Sequence, residues 1–454
     1  MRRRVVITGA GAISAIGTGV ENFWRNCLEA KSVVGAIPCA WTRYADLHSR
    51  LWSPLPEVDY EALGIVRAER LQLDPFAMLA LGAAREALEN AGFDLIAAQR
   101  ARVLTIGGED TRRVGVFLGT GIGGACTFLH SHSNHLLHRA CTMLRSRGAE
   151  ALPGNGDSTV ADALALLSHG PRYNPFVVSM LMPNAGSALI ANKFSIHGPS
   201  VTYCVACASG TVSVGSAYRA VRGGEIDLAL AGGSEFLNDE HGHIFRGFDV
   251  AGTLVRDCGD PETANRPFDA KRSGFLFSQG GAAVLLLEEL EHALCRGAHV
   301  MAEVAGFAET FDAYSMMSLA PDGAQIERVI HASLADAGLS TVAVDYVNAH
   351  GTGTRNNDEI ESKVIDRVFG KSVPVNSTKS LLGHTIGASG AFEALVTALT
   401  LRDGRTHINK NLETPCSELN YVRSAHVFEP QVGLSQSFAF GGHNAAVVLR
   451  RYDG

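Results

Sequence analysis

Residues 204–233 read CVACASGTVSVGSAYRAVRGGEIDLALAGG. Two cysteines three places apart lead into small residues. Val214, Tyr218 and Val221 then recur at helical spacing, Gly223-Gly224 stops the helix, and an apolar run of strand character follows. A thiol, a helix and a buried strand in immediate succession predict an α/β fold with Cys207 at a helix N-terminus. Free backbone N–H groups and the positive end of the helix dipole favour a thiolate there, and such thiols can fall to roughly 3.5–7.5 from an ordinary ~8.5. Ala206, Ala208, Ser209 and Gly210 leave room for a substrate. The same pattern also suits two cysteines that fill core space. A zinc site would need a second ligand pair at suitable spacing, which is not evident, and a redox CxxC belongs in a smaller thioredoxin-like setting.

Outward from this stretch, short β-branched runs at Val5–Thr8, Val114–Leu118, Leu228–Ala231, Ala282–Leu286, Val344–Asn348 and Ala445–Leu449 alternate with helical patterns at Pro75–Ala91, Thr211–Arg222 and Ala388–Leu401. GVFLGTGIGG (115–124) is echoed by YVNAHGTGT (346–354), which hints at two similar halves joined near EELEHALCRGAH (288–299). Arg100–Arg113 and His130–Pro171 are the least patterned segments and are expected to form loops or short surface helices.

Composition narrows the class. The chain has 454 residues, 46% hydrophobic and 19% charged, as in ordinary globular proteins. Cysteines at 27, 39, 126, 141, 204, 207, 258, 295 and 416 are odd in number and form no dense framework. That pattern argues against a secreted disulfide scaffold and for a reducing, cytoplasmic setting. The basic start MRRRVVITGAGAIS lacks a signal-peptide core, and no apolar run reaches the ~18 residues of a membrane span. A net charge of −7 without a basic block argues against nucleic acid as a partner. An acidic protein partner would have to find a local basic patch.

Two further stretches bear on chemistry. NAHGTGTRNND (348–358) sets His350 in a glycine-rich turn after an apolar strand, and NSTKSLLGHTIGASGAFE (376–393) sets Lys379 and His384 in a loop before a helix that carries Glu393. One histidine after a strand is ordinarily structural; two, with a helix-capped thiol, form a constellation suited to nucleophilic catalysis. Two other motifs weigh less. FLHSHSNHLLHRAC (128–141) offers His130, His132, His135, His138 and Cys141, yet without an i, i+4 pair and a third fixed ligand. Gly9, Gly11 and Ser14 suggest a dinucleotide turn, but Ser14 stands where a glycine or alanine is needed.

CVACASG, NAHGTGT, STKSLLGH with GASGAFE, and SFAFGGHN (437–444) together resemble the β-ketoacyl-acyl-carrier-protein synthases, and the elongating synthase II type most closely. The likeness spans nearly the whole chain, through VVITGAGAIS, DPFAMLALGAAREALENAG and NRPFDAKRSGF. It implies a thiolase-like fold of two duplicated halves in a five-layered αβαβα arrangement. Residues 1–295 would carry the nucleophilic cysteine and 296–454 both catalytic histidines.

The reaction implied is decarboxylative condensation of an acyl-cysteine enzyme with a malonyl thioester, in fatty acid or polyketide/polyene elongation. By position, Cys207 would be the acylated nucleophile, and the N–H groups of Cys207 and Phe440 an oxyanion hole. His350 and His384 would serve decarboxylation and condensation, Lys379 would stabilise negative charge, and Glu393 would anchor the network. Thr352 and Thr354 would contact the phosphopantetheine arm, Phe440 would gate the cysteine, and Ile122 and Phe248 would wall the acyl pocket.

The resemblance implies no resident cofactor and no metal, since phosphopantetheine arrives on the acyl carrier protein. It also implies a homodimer, or a heterodimer with a ketosynthase-like chain. Arg67, Arg70 and Arg172 match carrier-docking positions. Four positions depart from the family: Gln279 in place of an acid, Met317 in place of a threonine, Gly252 in place of an arginine and Tyr173 in place of a lysine. A non-catalytic chain-length partner or a coenzyme A-dependent thiolase are the alternatives. Retention of Cys207, His350 and His384 together weighs against both.

Overall fold

The first strand shows why the glycines near the N-terminus are there. β1 (Val5–Ser14) is buried along its whole length, and helix α1 (Pro75–Asn90) lies directly on it. A Cβ at Gly9 would sit 2.1 Å from Ala87 O, and one at Gly11 would sit 2.0 Å from Ala83 O. These glycines admit a helix against a strand. They do not form the nucleotide-binding turn that Gly9, Gly11 and Ser14 suggested.

In the computed structural model, residues 3–42, 46–98, 102–146, 174–256, 259–424 and 426–454 are described. Beyond β1, the principal strands are β2 (Val114–Gly119), β3 (Ser200–Tyr203), β4 (Leu228–Phe236), β5 (Gly280–Glu289), β6 (Ala302–Phe311), β7 (Tyr346–Asn348), β8 (Val375–Asn376), β9 (Val432–Phe438) and β10 (His443–Arg450). Their order across the sheet is β8-β7-β9-β10-β6-β1-β5-β4-β2-β3, and Gly17–Thr18 folds back on β1.

That order contains one pattern twice. Numbered along each half, both read 3-2-4-5-1. The second strand is parallel to the third and fourth, the fourth antiparallel to the fifth, and the fifth antiparallel to the first. The halves meet where β1 and β6 pair antiparallel, Val5 opposite Val304.

Helices complete the layers. α1 and α2 (Ala185–Lys193) cover the first half, while α3 (Ala324–Asp336) and α4 (Arg355–Phe369) cover the second. Between the halves run α5 (Ser209–Arg222) and α6 (Ser389–Asp403), which touch each other and strands from both sides. Their crossing depends on small residues: a Cβ at Gly210 would come within 2.6 Å of Ala391 N, and one at Gly390 within 2.6 Å of Thr211 N. Every residue of α6 from Ser389 to Leu401 is buried. A helix without a polar face is stable only in such a place, and α6 thereby carries Glu393 into the interior. The five-layered α/β expectation holds.

Two segments differ from their sequence reading. The 22-residue helix Ala125–Ser146 is longer than the loops or short surface helices expected from His130 onward, and no glycine or proline interrupts 125–146 to stop it. The remainder of the His130–Pro171 stretch lies outside the described residues, as do Arg100, Arg172 and Tyr173. In place of the irregular stretch expected at Arg100–Arg113, Leu104–Ile106 pairs antiparallel with Leu95–Ala97, and a tight turn follows at Thr111–Arg113.

Candidate active site

The two central helices start with the same device. A single turn of 3-10 helix, Ala206–Ala208 or Ile386–Ala388, precedes each, opened by a non-glycine residue at positive φ: Ala206 at 49° and Ile386 at 48°. ACASG (206–210) and IGASG (386–390) are thus equivalent stretches of the two halves. Left-handed backbone at alanine or isoleucine is strained, and such strain concentrates at functional sites. In the first half it turns Cys207 inward. In the second it lies two residues after His384.

The predicted trio converges. His384 Nε2 lies 3.0 Å from Cys207 Sγ. The rings of His350 and His384 stand 5.7 Å apart at 86°, and the Cys207 sulfur and one nitrogen of each ring lie within 4.8 Å of one another. All three residues are buried.

The hydrogen bonds select tautomers. Lys379 Nζ lies 3.1 Å from His350 Nδ1 and donates to His350 O at 2.8 Å. An ammonium only donates, so Nδ1 accepts and the ring proton sits on Nε2. The backbone N–H of Ile386 donates to His384 Nδ1 at 3.3 Å, with Ser389 Oγ 3.0 Å away, and this again places the proton on Nε2. Burial and the Lys379 charge hold both imidazoles well below their ordinary value, His350 lowered further by His384. Two neutral N–H donors therefore serve one site.

The sulfur departs from expectation. His384 Nε2–H and the main-chain N–H groups of Phe440 and Cys207 all favour a thiolate, as does the Lys379 charge. Burial opposes them and wins, pushing the Cys207 thiol up to about 12. The lowering expected from the helix N-terminus is outweighed because the sulfur is fully removed from water.

Behind this front stand buried acids. Lys379 is ion-paired with Glu393, at 3% and 1% side-chain exposure. Glu361 accepts from the N–H groups of His350 (2.7 Å) and Gly351 (2.8 Å) and from Gln436 Nε2 (2.8 Å), pinning the histidine turn. Glu235 accepts from Thr120 Oγ1 (3.0 Å), Ile122 N (3.3 Å) and Gly387 N (3.0 Å), tying the 120–122 loop to the second helix start. Burial raises both Glu361 and Glu235 to about 7. Sequence reasoning missed these two because an acid in NNDEIES or AGGSE reads as surface by default; only the glycine-rich turns nearby signalled N–H groups needing acceptors.

His407 steadies the loop below Lys379. Its Nδ1–H donates to Ile408 O at 2.8 Å and its Nε2 lies 3.3 Å from Thr378 Oγ1. Burial holds it down to about 4. As pH falls from about 6.5 toward that value, the unfolded chain takes up a proton that the fold refuses, so stability is lost at about 1.4 kcal/mol per unit. Urea unfolding of the wild type and His407→Gln at pH 7.5 and 4.5 should show the wild type losing about 2–3 kcal/mol more between the two pH values. Equal losses would mean that His407 is not held neutral.

A cavity of about 390 Å³ reaches Cys207, His350 and His384. Thr352 and Thr354, whose hydroxyls lie 2.9 Å apart, line it, as does Phe440. Ile122 and Phe248 do not line it. The Phe248 ring stacks behind Phe440 at 6.5 Å, and Ile122 packs against the central core. Cys204 is also apart, its thiol donating to Gly121 O at 3.1 Å.

Arg67 and Arg70 line a separate groove of about 880 Å³. His130 pairs with Glu240 at 2.6 Å and His132 stacks on Phe128. The Cys141 side chain lies outside the described residues. At the variant positions, Gln279 Oε1 accepts from Leu55 N at 3.1 Å, Gly252 ends a helix at φ 70°, and Met317 lies at the cavity mouth.

Known proteins with this arrangement are consistent with one another. Residues 2–293 match the family model "Beta-ketoacyl synthase, N-terminal domain" and residues 301–413 match "Beta-ketoacyl synthase, C-terminal domain". The 3-oxoacyl-[acyl-carrier-protein] synthase 2 of Synechocystis sp. is 33% identical over 99% of both chains. A crystal structure of a beta-ketoacyl synthase from Burkholderia phymatum superposes with a TM-score of 0.81 at 31% identity, covering 100% of both chains. A type II PKS acyl-carrier protein in complex with its ketosynthase bound to the hexaketide gives a TM-score of 0.79 at 28% identity, again with 100% of both chains covered. Duplicated topology, the paired helix starts and full-length similarity agree, and the chain belongs to the β-ketoacyl synthase family of condensing enzymes.

Proposed function

We propose that the protein is a 3-oxoacyl-[acyl-carrier-protein] synthase that joins an acyl group held on Cys207 to a malonyl unit with loss of carbon dioxide. The observation that carries the reading is the pair of neutral Nε2–H donors beside a buried sulfur in one cavity. In the first step the Cys207 sulfur attacks an acyl thioester, and its proton leaves on the departing carrier thiol. A thiol held at about 12 suits such an exchange, since the proton passes between sulfurs and need not be released to water. The N–H groups of Cys207 and Phe440 stabilise the tetrahedral oxyanion.

In the second step the malonyl carboxylate departs as carbon dioxide. The electron pair it leaves forms an enolate, whose oxygen is held by His350 and His384. The enolate carbon then attacks the acyl-cysteine carbonyl, and the Cys207 sulfur leaves as a thiolate that takes up a proton from solvent to restore the thiol. Residues 1–295 supply the sulfur and 296–454 the imidazoles. Thr352 and Thr354 meet the amides of a phosphopantetheine arm, which comes with the substrate and not as a resident cofactor.

The carrier docks over Arg67, Arg70 and Arg172, and Ile122 and Phe248 bound the acyl chain once Phe440 moves. A second copy of this chain covers the exposed Val201 of edge strand β3, together with the exposed Phe176, Val178 and Met182, because an uncovered apolar sheet edge invites pairing. Sedimentation should therefore give a dimer of identical chains. The thiolase alternative needs a second cysteine beside the first, whereas Cys204 does not line the cavity. A chain-length partner has no use for the complete trio. Among the described residues no helix is long and apolar enough to cross a membrane, and free cysteines such as Cys27, Cys126 and Cys416 fit the cytoplasm.

The test is incubation with acyl- and malonyl-carrier thioesters. Acyl mass on the Cys207 peptide and carbon dioxide release are both expected; absence of both would overturn the reading.

A further inference from the structure

Arg355 lines the catalytic cavity, and nothing in the reaction above uses its charge. It begins α4 immediately after Thr354, and it lines the same cavity as Cys207. Among the described residues no aspartate or glutamate lines that cavity. Of the acids on the same helix, Asp358 and Glu361 are fully buried and committed to backbone N–H groups, and the exposed Glu359 pairs with Lys363 at 2.8 Å. With His350 and His384 neutral, Arg355 is the permanent charge on the cavity wall among the described residues.

Its backbone is fixed while its guanidinium is free to reach. Arg272 donates to Thr354 O at 3.4 Å and to Arg355 O at 3.1 Å, clamping the main chain on either side of the bend. No described carboxylate or carbonyl accepts from the Arg355 side chain, which is exposed. Across the mouth Gly252 leaves open space, with no atom within 4 Å of where a Cβ would stand. A cation in the first turn of a helix also opposes the helix dipole. Local stability therefore does not explain it.

We propose that Arg355 binds the phosphodiester by which the pantetheine arm is tied to its carrier. This rests on the condensing-enzyme reading. The guanidinium offers a planar fork of donors that matches phosphate oxygens, and it stands on the cavity wall beyond Thr352 and Thr354. An arm threaded toward Cys207 would place its amides against the two threonines and its phosphate at the mouth.

The experiment compares three acyl donors: the acyl-carrier protein, the free acyl-phosphopantetheine thioester, and the acyl-pantetheine thioester lacking phosphate. Each is presented to wild type, Arg355→Gln and Arg355→Lys, and acylation of Cys207 is followed by mass spectrometry. Arg355→Gln should raise KM about tenfold for both phosphate-bearing donors with kcat little changed. It should leave the pantetheine donor unaffected, and Arg355→Lys should recover part of the loss. Loss confined to the carrier protein would place Arg355 on the protein surface contact and overturn the phosphate assignment. Equal loss on all three donors, or no loss on any, would overturn it as well. Failure of the wild type to be acylated by every donor would instead sink the reading of the site itself.

Discussion

Cys207→Ala should abolish acyl transfer and condensation, a fall of about 10⁴-fold or more, while carbon dioxide is still released from a malonyl thioester. The two chemistries use different atoms. In the mechanism proposed above, acylation uses the sulfur and enolate stabilisation uses the Nε2–H groups of His350 and His384, whose tautomers are set from behind by Lys379 and by the Ile386 N–H. None of those supports passes through the sulfur. Alanine removes one buried atom at the bottom of an existing cavity and costs little stability, on the order of 1 kcal/mol. Mass spectrometry of the protein and headspace carbon dioxide measure the two outcomes separately. Loss of both in a folded variant would mean that the sulfur takes part in decarboxylation, contrary to the division of labour above.

How much of this could be seen in the chain depends on how local each cause is. The helix after Cys207 and the strand after Gly224 rest on periodicity and glycine stops, and both stand as Ser209–Arg222 and Leu228–Phe236. The convergence of Cys207, His350 and His384 was legible through resemblance to a family, since residues 177 positions apart carry no local signal of contact. Gly9 and Gly11 show the limit of motif reading: glycine was required by a helix packed across the strand, a cause that lies 70 or more residues away.

The ACASG and IGASG equivalence was present in the letters, but at five residues with one cysteine replaced by glycine it becomes visible only when both show the same positive φ. The thiol failed for a related reason. The helix terminus is a local property and was read correctly, whereas burial is decided by the whole fold and reverses its effect.

The Lys379–Glu393 pair carries the other large expectation. Lys379→Met leaves a carboxylate unpaired in the interior, which costs about 3–5 kcal/mol when a buried pair is broken from one side. Burial already raises Glu393 to about 7 against the opposing ammonium, and without the ammonium it rises further. An acid whose folded value lies above its unfolded value loses stability as pH rises toward the folded one. The deficit of Lys379→Met relative to wild type should therefore grow as pH increases above about 7, as urea unfolding across that range would record.

The same substitution removes the donor that keeps the His350 proton on Nε2, so malonyl decarboxylation should fall about 10²–10³-fold, the scale of losing one preorganised donor. A second variant separates the two effects. Lys379→Met combined with Glu393→Gln leaves neither charge of that pair and should recover most of the stability but little of the decarboxylation, because the tautomer of His350 is still unspecified. Recovery of both would reduce Lys379 to half of a structural ion pair. Recovery of stability alone makes it the residue that decides which nitrogen of His350 carries the proton.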